Sequence, residues 1–423
     1  MNKLERTSRI FAVIAGALFP VMVSAQWPTW TPSTANRNAA VTAEAAYWSD
    51  YHKTGISLTY TTYLRYIRPF APLAGFMNAS TTGMSFAALG PTLRWDSNHV
   101  PQITYDNGTT WQYNPVTVAH YGLYAQDSCL HGNTTDCTYF VNAADQLIAM
   151  MGQDGAFRYT FSYQAAGATV PYPPGWVSGM SQGQALSVFA RAYLRTSDPK
   201  YLSAGTLAFQ FLQTPVASGG VTGNLGDLNP ALASYITLEE YPPAGTDKQY
   251  YTLNGGLYGL LGIYEWWMCN PDKNAAAGAY WQSALTSYKR MLRYYDTGGF
   301  TSYNLVHLTQ PGKAPLDDVP YHNDHLALLN ALAWATGDPV FAKYYALWKN
   351  YVDTQSPVRP IRGDVNGDGV VDQADVNLLQ TLIGQPQSSW TLRQWAAGDL
   401  DDDGVLTNAD VPLLQQLAGG TPN

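Results

Sequence analysis

Residues 184–213 read QALSVFARAYLRTSDPKYLSAGTLAFQFLQ, and this stretch decides the fold. Apolar residues recur every three or four positions on both sides of Asp198-Pro199, the spacing that places them on one face of an α-helix. An Asp-Pro step favours a helix start, because the Asp side chain accepts hydrogen bonds from backbone amides and Pro fits the first turn. The stretch therefore predicts two helices joined by a short turn.

The same helical spacing recurs along most of the chain from residue 113 to residue 353. It is found in AADQLIAMM, GGLYGLLGIYEWW, WQSALTSYKRMLRYY, HLALLNALAWAT and VFAKYYALWKNYV. Serial helix pairs of this kind predict a mainly α fold, an α/α toroid (an incomplete barrel) whose inner helices line a groove. Residues 26–112 form a separate N-terminal segment, in which residues 55–112 are rich in Thr, Tyr, Gly and Pro and predict a small β-rich element.

The distribution of charge excludes one class of function. The 423 residues carry a formal net charge of −8, and nine Asp and one Arg from Gly363 onward account for all of it. The rest of the chain holds 22 acidic and 22 basic residues. A nucleic-acid binder needs a basic surface, so we expect no nucleic-acid partner.

The N-terminus predicts export. Basic residues precede an apolar run over residues 10–19, and a small-residue end at Ala25 completes the pattern of a signal peptide over residues 1–25. The run is too short to span a bilayer, and no later stretch is long enough, so we expect no membrane span. Because exported proteins can form disulfides, Cys129 and Cys137, which flank a short polar loop, are expected to be bonded.

Two segments at the C-terminus repeat each other, GDVNGDGVVDQADVNLLQTLIG from Gly363 and GDLDDDGVLTNADVPLLQQLAG from Gly398. Each has oxygen-bearing side chains at loop positions 1, 3, 5, 9 and 12, Gly at position 6, and a residue at position 7 that offers its backbone carbonyl, the arrangement that wraps ligands around Ca²⁺. The first predicted calcium site comprises Asp364, Asn366, Asp368, Val370, Asp372 and Asp375. The second comprises Asp399, Asp401, Asp403, Val405, Thr407 and Asp410.

This tail resembles a dockerin module. Each loop ends in Asp where an ordinary helix-loop-helix site has Glu, one helical pattern follows each loop, and the unit is duplicated. The resemblance implies a cohesin-bearing scaffold or cell-surface partner, chosen in the family at positions that here are 373–374 (Gln-Ala) and 408–409 (Asn-Ala). We expect the dockerin over residues 363–423 and a linker with two prolines over residues 354–362. Calcium removal is expected to loosen the residues after Gly363 and to leave catalysis intact, because all ligands lie in the tail.

Four stretches of the helical region carry a second resemblance. They are YNPVTVAHYGLYAQD from Tyr113, PGWVSGMSQGQALSVFARAYLRTSDPKYL from Pro174, LEEYPPAGTDKQYYTLNGGLYGLLGIYEWW from Leu238, and YYDTGGFTSYNLVHL with PYHNDHLALLNAL from Tyr294 and Pro320. In collinear order they resemble the C-terminal helical domain of the D-glucuronyl C5-epimerases, isomerases that invert glucuronate to iduronate within heparan-type chains. The resemblance covers residues 113–353 and implies a uronate-containing polysaccharide such as heparosan or heparan sulfate as substrate.

Epimerisation at C5 requires two acid-base groups on opposite faces of the sugar, because one removes a weakly acidic proton and the other delivers a proton. The resemblance implies Glu240, directly before Tyr in EEYP, as the first group and Tyr321, in YHNDH, as the second. It also implies that Tyr241 and Tyr303 position the substrate or relay protons. A carboxylate in so apolar a setting is expected to have a raised pKa. The reaction itself is expected to use no cofactor.

Two pairs of residues are candidates for substrate binding. Gln182 and Gln184 can donate to sugar hydroxyls, although a structural role at a helix start explains them equally well. His322 and His325 lie three residues apart, but no third metal ligand is evident, so we expect them to orient Tyr321 through hydrogen bonds.

One position departs from the family pattern. Where the family carries an Arg that grips the substrate carboxylate, this chain has Val306. We expect the nearby bases Arg290, Arg293 and Lys313 to substitute for it. Because a sulfated polyanion usually requires a basic groove, a less charged uronate glycan or unsulfated heparosan is the expected substrate.

Three other functions stay open at this point. A polysaccharide lyase begins with the same proton abstraction and needs nearly the same residues. A glycoside hydrolase needs two carboxylates that flank the scissile bond, for example Glu240 with Asp296, Asp317 or Asp318. A non-catalytic glycan-binding protein needs only aromatic rings that stack on sugars.

Overall fold

A computed structural model describes residues 93–106, 108–130, 132–270, 274–297, 301–316, 319–354 and 360–419. The expected signal peptide, the N-terminal segment up to residue 92 and residues 355–359 of the expected linker lie outside the described residues. Among the residues described, we find no helix with the length and apolarity that a bilayer crossing requires.

Eight long helices and one short helix follow each other in the larger part of the described chain. They are α1 (Pro115–Leu130), α2 (Thr134–Met150), α3 (Gly179–Thr196), α4 (Pro199–Leu212), α5 (Leu253–Cys269), α6 (Ala275–Tyr295), the short α7 (Val306–Thr309), α8 (Val319–Thr336) and α9 (Pro339–Thr354).

The long helices form two rows. Helices α1, α3, α5 and α8 pack side by side in that order, and each is paired with the helix that follows it, α2, α4, α6 or α9. The inner helices are buried on nearly all sides, as in α3 and α5, whereas α4 and α6 alternate buried and exposed residues. The prediction of a mainly α fold is confirmed, and the two rows are the layout expected of an incomplete α/α toroid.

Local signals set several helix ends. The Asp198 carboxylate accepts from the amide of Lys200 at 2.9 Å at the start of α4, and Asp338 accepts from Val340 at 2.9 Å at the start of α9. Ser197, in the left-handed region with φ 59°, ends α3. Cys129, near the end of α1, and Cys137, in the first turns of α2, form a disulfide that joins the two helices.

The inner helices α3 and α5 touch through their backbones. A Cβ atom on Gly183 would lie 2.4 Å from the Cα of Gly259, and one on Gly262 would lie 1.8 Å from the Gly183 carbonyl oxygen. A buried ion pair joins the same helices, in which Arg191 donates to both carboxylate oxygens of Glu265, at 2.8 and 2.5 Å. Gly183 and Gly262 therefore leave no space for a side chain between these two helices.

Two short antiparallel strand pairs complete this region. Strands β1 (Leu93–Trp95) and β2 (Pro101–Ile103) lie at the end of the expected β-rich element, most of which is outside the described residues. Strands β3 (Thr222–Asn224) and β4 (Ile236–Leu238) pair with Thr222 opposite Leu238. The second pair positions the site, because the chain leaves β4 directly into the two adjacent glutamates.

The tail forms a small domain with its own core. Helices α10 (Gln373–Ile383) and α12 (Asp410–Gly419) each follow one of the two acidic loops, and the short α11 (Leu392–Gly398) precedes the second loop. The core comprises Val365, Val376, Leu379, Leu382, Ala397, Leu400, Leu406, Val411 and Leu414. This domain is the duplicated loop-helix unit that the repeat predicts.

Candidate active site

The two glutamates after β4 have different surroundings. Glu239 is fully buried, and its carboxylate accepts from the Thr237 hydroxyl at 2.8 Å and the Tyr251 amide at 3.2 Å. These contacts hold Glu239 in the core. Glu240 instead lines a pocket, so it is the glutamate that can meet a ligand.

The pocket at Glu240 has mostly aromatic walls. The Glu240 side chain is 6% exposed, and its Oε2 atom is buried without a hydrogen-bond partner within the described residues. A buried carboxylate oxygen in that condition is a ready acceptor for a group that a ligand brings. The other lining residues are Tyr105, Asn114, Val116, Tyr159, Tyr163, Trp176, Ser178 and Tyr241.

Burial controls the protonation of Glu240. It raises the pKa of the carboxyl to about 8, and the negative charge of Asp324 acts in the same direction. The Tyr241 hydroxyl and the Gly255 amide favour the charged form and oppose this rise. The resulting pKa allows one group to serve as a base when ionised and as an acid when protonated near neutral pH.

The four residues expected to be catalytic lie in one connected group. Glu240 is close enough to Tyr241 and Tyr303 for its charge to raise their pKa values, in addition to the larger effect of burial. A hydrogen bond joins Tyr303 to Tyr241, and the ring centroids of Tyr303 and Tyr321 are 4.3 Å apart. Because burial raises the pKa values of Tyr241 and Tyr303 well above 10, both phenols keep their protons at neutral pH.

Separate elements bring these residues together. Tyr241 follows β4, Tyr303 lies between α6 and α7, and Tyr321 lies in the first turn of α8. The amide of Leu253, at the start of α5, donates to the Tyr303 carbonyl at 3.0 Å, which ties the Tyr303 segment to the same helix start that faces Glu240.

The two histidines act on this geometry through Thr301. The Thr301 hydroxyl lies 3.0 Å from Nδ1 of His322 and 2.7 Å from Nδ1 of His325, and Nε2 of His322 is 3.3 Å from the Trp348 carbonyl oxygen. Burial lowers the pKa of His322 to about 4 and that of His325 well below its ordinary value, so both rings are neutral. They thereby connect the segment that carries Tyr303 to the helix that carries Tyr321.

The two glutamines do not line the pocket of Glu240. Gln182 is fully buried, where its side chain accepts from the Phe157 amide at 2.8 Å and donates to the carbonyls of Gly155 and Ala208, both at 3.1 Å. Gln184 is 1% exposed and contacts Nε2 of His120. These contacts favour the structural role that the sequence left open.

The expected substitutes for the family Arg lie elsewhere. Arg293 and Arg290 face Asp402 of the tail, at 2.8 and 3.8 Å, and Lys313 is exposed. Val306 is 1% exposed and packs in an apolar cluster with Ala165, Tyr172, Ala244 and Tyr250. Within the described residues, the lining of the Glu240 pocket contains no Lys or Arg.

Two features of the site escape the sequence analysis. The first is a stack of rings in which Trp176 lies 3.6 Å from Tyr159 and 5.4 Å from Tyr163, nearly parallel to both, while Tyr163 stacks on Tyr241 at 5.7 Å. The alternation in FRYTFSYQ, residues 157–164, is the signal that could have found this wall.

The second feature is Asp324, one turn after Tyr321 on α8. Burial raises the pKa of its carboxyl to about 7, and its charge acts on Glu240. The sequence signal for it is the Asp of YHNDH, between the two His.

The acidic loops of the tail fit a hard cation. In the second loop, carboxylate oxygens of Asp399, Asp401 and Asp403 lie within 4.8 Å of each other. The last expected ligand, Asp410, is buried and accepts from the Leu400 amide at 2.7 Å. Gly404, at position 6, has a φ of 89° that suits the sharp turn.

The first loop repeats this arrangement. Its last expected ligand, Asp375, accepts from the Asn366 amide at 2.9 Å, and Gly369 at position 6 has a φ of 90°. Such convergence of oxygen atoms is the donor set that Ca²⁺ prefers.

Two family comparisons correspond to these two parts of the chain. Residues 151–350 match the family described as D-glucuronyl C5-epimerase C-terminus, and residues 362–417 match the dockerin type I domain. One part of the chain is thus similar to the C-terminus of the D-glucuronyl C5-epimerases, and another part is similar to dockerin domains. Both resemblances that the sequence motifs predict are confirmed. Binding of Ca²⁺ is a general property of dockerin domains, which agrees with the fit of the two loops.

Individual relatives match about half of the chain. The D-glucuronyl C5-epimerase of Caenorhabditis elegans is 32% identical over 225 residues, which are 50% of this chain and 34% of that protein. An uncharacterized protein of Methanocaldococcus jannaschii is 26% identical over 219 residues, 50% of this chain and 64% of that protein. The chain therefore spans less than two thirds of either relative.

One solved structure is similar to part of the chain. It is a family 76 glycoside hydrolase from a bovine Bacteroides thetaiotaomicron strain, with a TM-score of 0.36 and 14% sequence identity. The match covers 57% of this chain and 47% of that one.

Proposed function

We propose that this chain is a secreted polysaccharide uronyl C5-epimerase that converts D-glucuronate to L-iduronate in a heparosan-like or heparan-like glycan. The observation that supports it most is the buried Glu240 carboxylate, with Oε2 unpartnered within the described residues, connected through Tyr241 and Tyr303 to Tyr321. Tyr321 and Tyr303 do not line the Glu240 pocket but lie behind Tyr241 in the same connected group. A base and a phenolic acid in one connected group are the two kinds of residue that inversion at C5 requires.

In the proposed reaction, ionised Glu240 removes the proton from C5 on one face of the sugar. Negative charge then spreads into the substrate carboxylate, where neutral donors such as the hydroxyl of Ser178 and the amide of Asn114 can stabilise it. Tyr321 donates its phenolic proton to C5 from the other face, which leaves the inverted sugar, a phenolate and a protonated Glu240. Proton transfer along Tyr303 and Tyr241 restores the starting state.

The lining of the pocket favours a weakly charged polymer. The described lining contains no Lys or Arg, and at the position of the family Arg the buried Val306 offers no charge. Rings such as Trp176 and Tyr163 can instead stack on the apolar faces of sugar rings. Sulfate groups would meet no compensating charge there, so unsulfated heparosan is the proposed substrate.

The tail supplies the proposed means of attachment. A dockerin implies a cohesin partner, and the residue pairs at 373–374 and 408–409, which set partner choice in the family, are exposed in both repeats. Together with the expected signal peptide, this supports an extracellular enzyme held on a scaffold or a cell surface through a domain with two Ca²⁺ sites.

The contacts of Asp296 weigh against its role as the second carboxylate of a glycoside hydrolase. Asp296 accepts from the Trp348 indole nitrogen at 3.2 Å and from the Tyr351 hydroxyl at 2.9 Å, which directs it toward α9. Asp317 and Asp318 lie outside the described residues. A lyase would use the same Glu240 and Tyr321, so chemistry and not geometry must separate it from an epimerase.

The test follows C5 deuterium by NMR while the chain acts on heparosan in heavy water, together with ultraviolet absorbance and reducing ends. Deuterium gain without absorbance supports the proposal. Absorbance from an unsaturated uronate would reassign the enzyme as a lyase, and new reducing ends would reassign it as a hydrolase. No change on heparosan or on sulfated uronate polymers, with binding that survives Glu240→Gln, would leave a glycan-binding protein.

A further inference from the structure

The side chain of Asp402 points out of the second calcium loop toward the helical region. It occupies loop position 4, which supplies no ligand in this type of site. Its carboxylate is 2.8 Å from Nη1 of Arg293 on α6, 3.2 Å from Nη1 of Arg362 and 3.8 Å from Nη1 of Arg290. Asp402 is 8% exposed, so the tail and the helical region bury this cluster between them. We refer to these four residues as the Asp402 cluster.

A second set of contacts joins the same surfaces. The Lys343 ammonium on α9 donates to the Gly404 carbonyl and lies 5.1 Å from the ring centroid of Trp395 and 5.4 Å from that of Trp390. The rings of Tyr344 and Trp395 meet edge to face at 5.2 Å. The tail therefore contacts α6 through Asp402 of the second loop, and α9 through Gly404 of that loop and through the nearby rings of Trp390 and Trp395.

The first loop shows that Asp402 is not needed by the calcium loop itself. At the same loop position the first repeat has Gly367, and both residues adopt the left-handed conformation, with φ 81° for Gly367 and φ 62° for Asp402. That conformation is easy for Gly and less favourable for Asp. The second loop thus carries an unfavourable residue at a position where its carboxylate pairs with Arg residues of the helical region.

The charges of the two calcium loops also indicate that the second loop contacts the helical region. The second loop contains five Asp, and the first contains four. Three Arg face the second loop through Asp402, whereas only Arg393, at 3.9 Å from Asp364, pairs with the first loop within the described residues. With a divalent cation bound, the second loop and its three Arg reach formal neutrality. Two of these three Arg, Arg290 and Arg293, belong to the helical region, which therefore supplies part of the charge balance of this loop.

We propose that the second calcium loop is a docking element that fastens the dockerin domain to α6 and α9 of its own chain, so that Ca²⁺ binding and the stability of this face support each other. A cation that binds only the folded loop stabilises whatever is packed on that loop. The coupling is reciprocal, because a docked loop is already held in the shape that the cation needs. Calcium removal should therefore loosen α6 and α9 as well as the tail.

The experiment is hydrogen exchange of the full chain followed by mass spectrometry, with Ca²⁺ and after chelation. We expect Ca²⁺ to slow exchange in residues 288–296 and 339–351 by about fivefold to a hundredfold, the usual range for coupled sites. The decisive variant is Asp402→Gly, which gives the second loop the residue that the first loop has. In this variant Ca²⁺ should still protect the tail, but it should no longer protect residues 288–296 and should protect residues 339–351 less than in the parent chain.

Arg293→Met tests the same ion pair from the helical side. It becomes the deciding variant if the second loop does not fold in Asp402→Gly. Its matched control is Arg158→Met, which removes an exposed ion pair with Asp154 far from the dockerin in sequence and should keep the calcium effect of the parent chain. Equal calcium protection of α6 and α9 in the parent, Asp402→Gly and Arg293→Met chains would overturn the proposal. So would a parent chain in which Ca²⁺ protects only residues 363–419.

Discussion

The carboxylate of Glu240 lies directly over Gly255 in the first turn of α5. A Cβ atom on residue 255 would lie 2.3 Å from Oε2 and 2.4 Å from Cβ of Glu240. Only glycine leaves room for the carboxylate at the positive end of this helix. The position of the proposed base is therefore set by a missing side chain on a neighbouring element.

Gly255→Ala should lower kcat by about a hundredfold, because a base that moves by about 1 Å loses its reactive geometry. Turnover on heparosan and the melting temperature together check this. Gly384→Ala is the control, since the nearest atom to a new Cβ there is 3.6 Å away. Unchanged turnover in Gly255→Ala would show that Glu240 does not act from this position.

Tyr321→Phe should reduce kcat by about 10²–10⁴-fold, the usual contribution of a positioned acid-base group, while the free energy of unfolding changes little. The matched control is Tyr201→Phe, which deletes a hydroxyl that donates to Asp145 at 2.8 Å on an outer helix. We expect the control to turn over at the parent rate. A Tyr321→Phe enzyme with full activity would remove this phenol from the mechanism.

The rate should depend on pH through Glu240. As the base must be ionised and burial raises its pKa to about 8, kcat/KM should increase from pH 6 to pH 9 with an apparent pKa of about 8. Asp324→Asn removes a nearby negative charge and should shift this limb to lower pH by roughly 0.5–1 unit. An unshifted profile in Asp324→Asn would show that the two carboxyls do not interact.

The stability of the fold should respond to pH in the opposite direction. Between the ordinary pKa of 4.5 and about 8, the folded chain keeps a proton on Glu240 that the unfolded chain releases. The free energy of unfolding should therefore fall as pH rises through this window. Glu240→Gln should reduce that slope and should melt higher than the parent at pH 8. Denaturant titrations at several pH values measure this, and identical slopes would mean that Glu240 is ionised in the folded state at all these pH values.

The ring stack makes a prediction about binding. Trp176→Ala should raise KM for heparosan by about tenfold to a hundredfold with a smaller change in kcat. Burial of an apolar side chain against a ligand contributes about 1.5–3 kcal/mol, and the ground state and the transition state share that contribution. Trp267→Ala, a ring between α5 and α6 that contacts Trp281, is the control for loss of a large side chain. A drop in kcat alone would assign Trp176 to the chemical step.

Local sequence patterns predict the fold and part of the candidate site. Asp198 and Asp338 cap helices through contacts two residues away, and the ligands of each calcium loop lie within twelve residues, so short windows contain the whole signal. The role of Arg293 could not be found this way, because its partner Asp402 is 109 residues distant and is not a loop ligand. The stacking of Trp176 on Tyr159 and Tyr163 could not be predicted from helical spacing, because these two partners lie in a segment that does not have it.

The backbone contact between α3 and α5 has a consequence for engineering. Gly183, Gly259 and Gly262 leave no volume for any side chain, and Gly259 also touches Leu238, two residues before Glu240. A library that aims to change the accepted polymer should hold these three positions constant and vary the exposed ring of Tyr105 and its neighbour Asn114 at the mouth of the pocket. The residues that fix the geometry of the site are therefore different from the residues at its entrance that a library can vary.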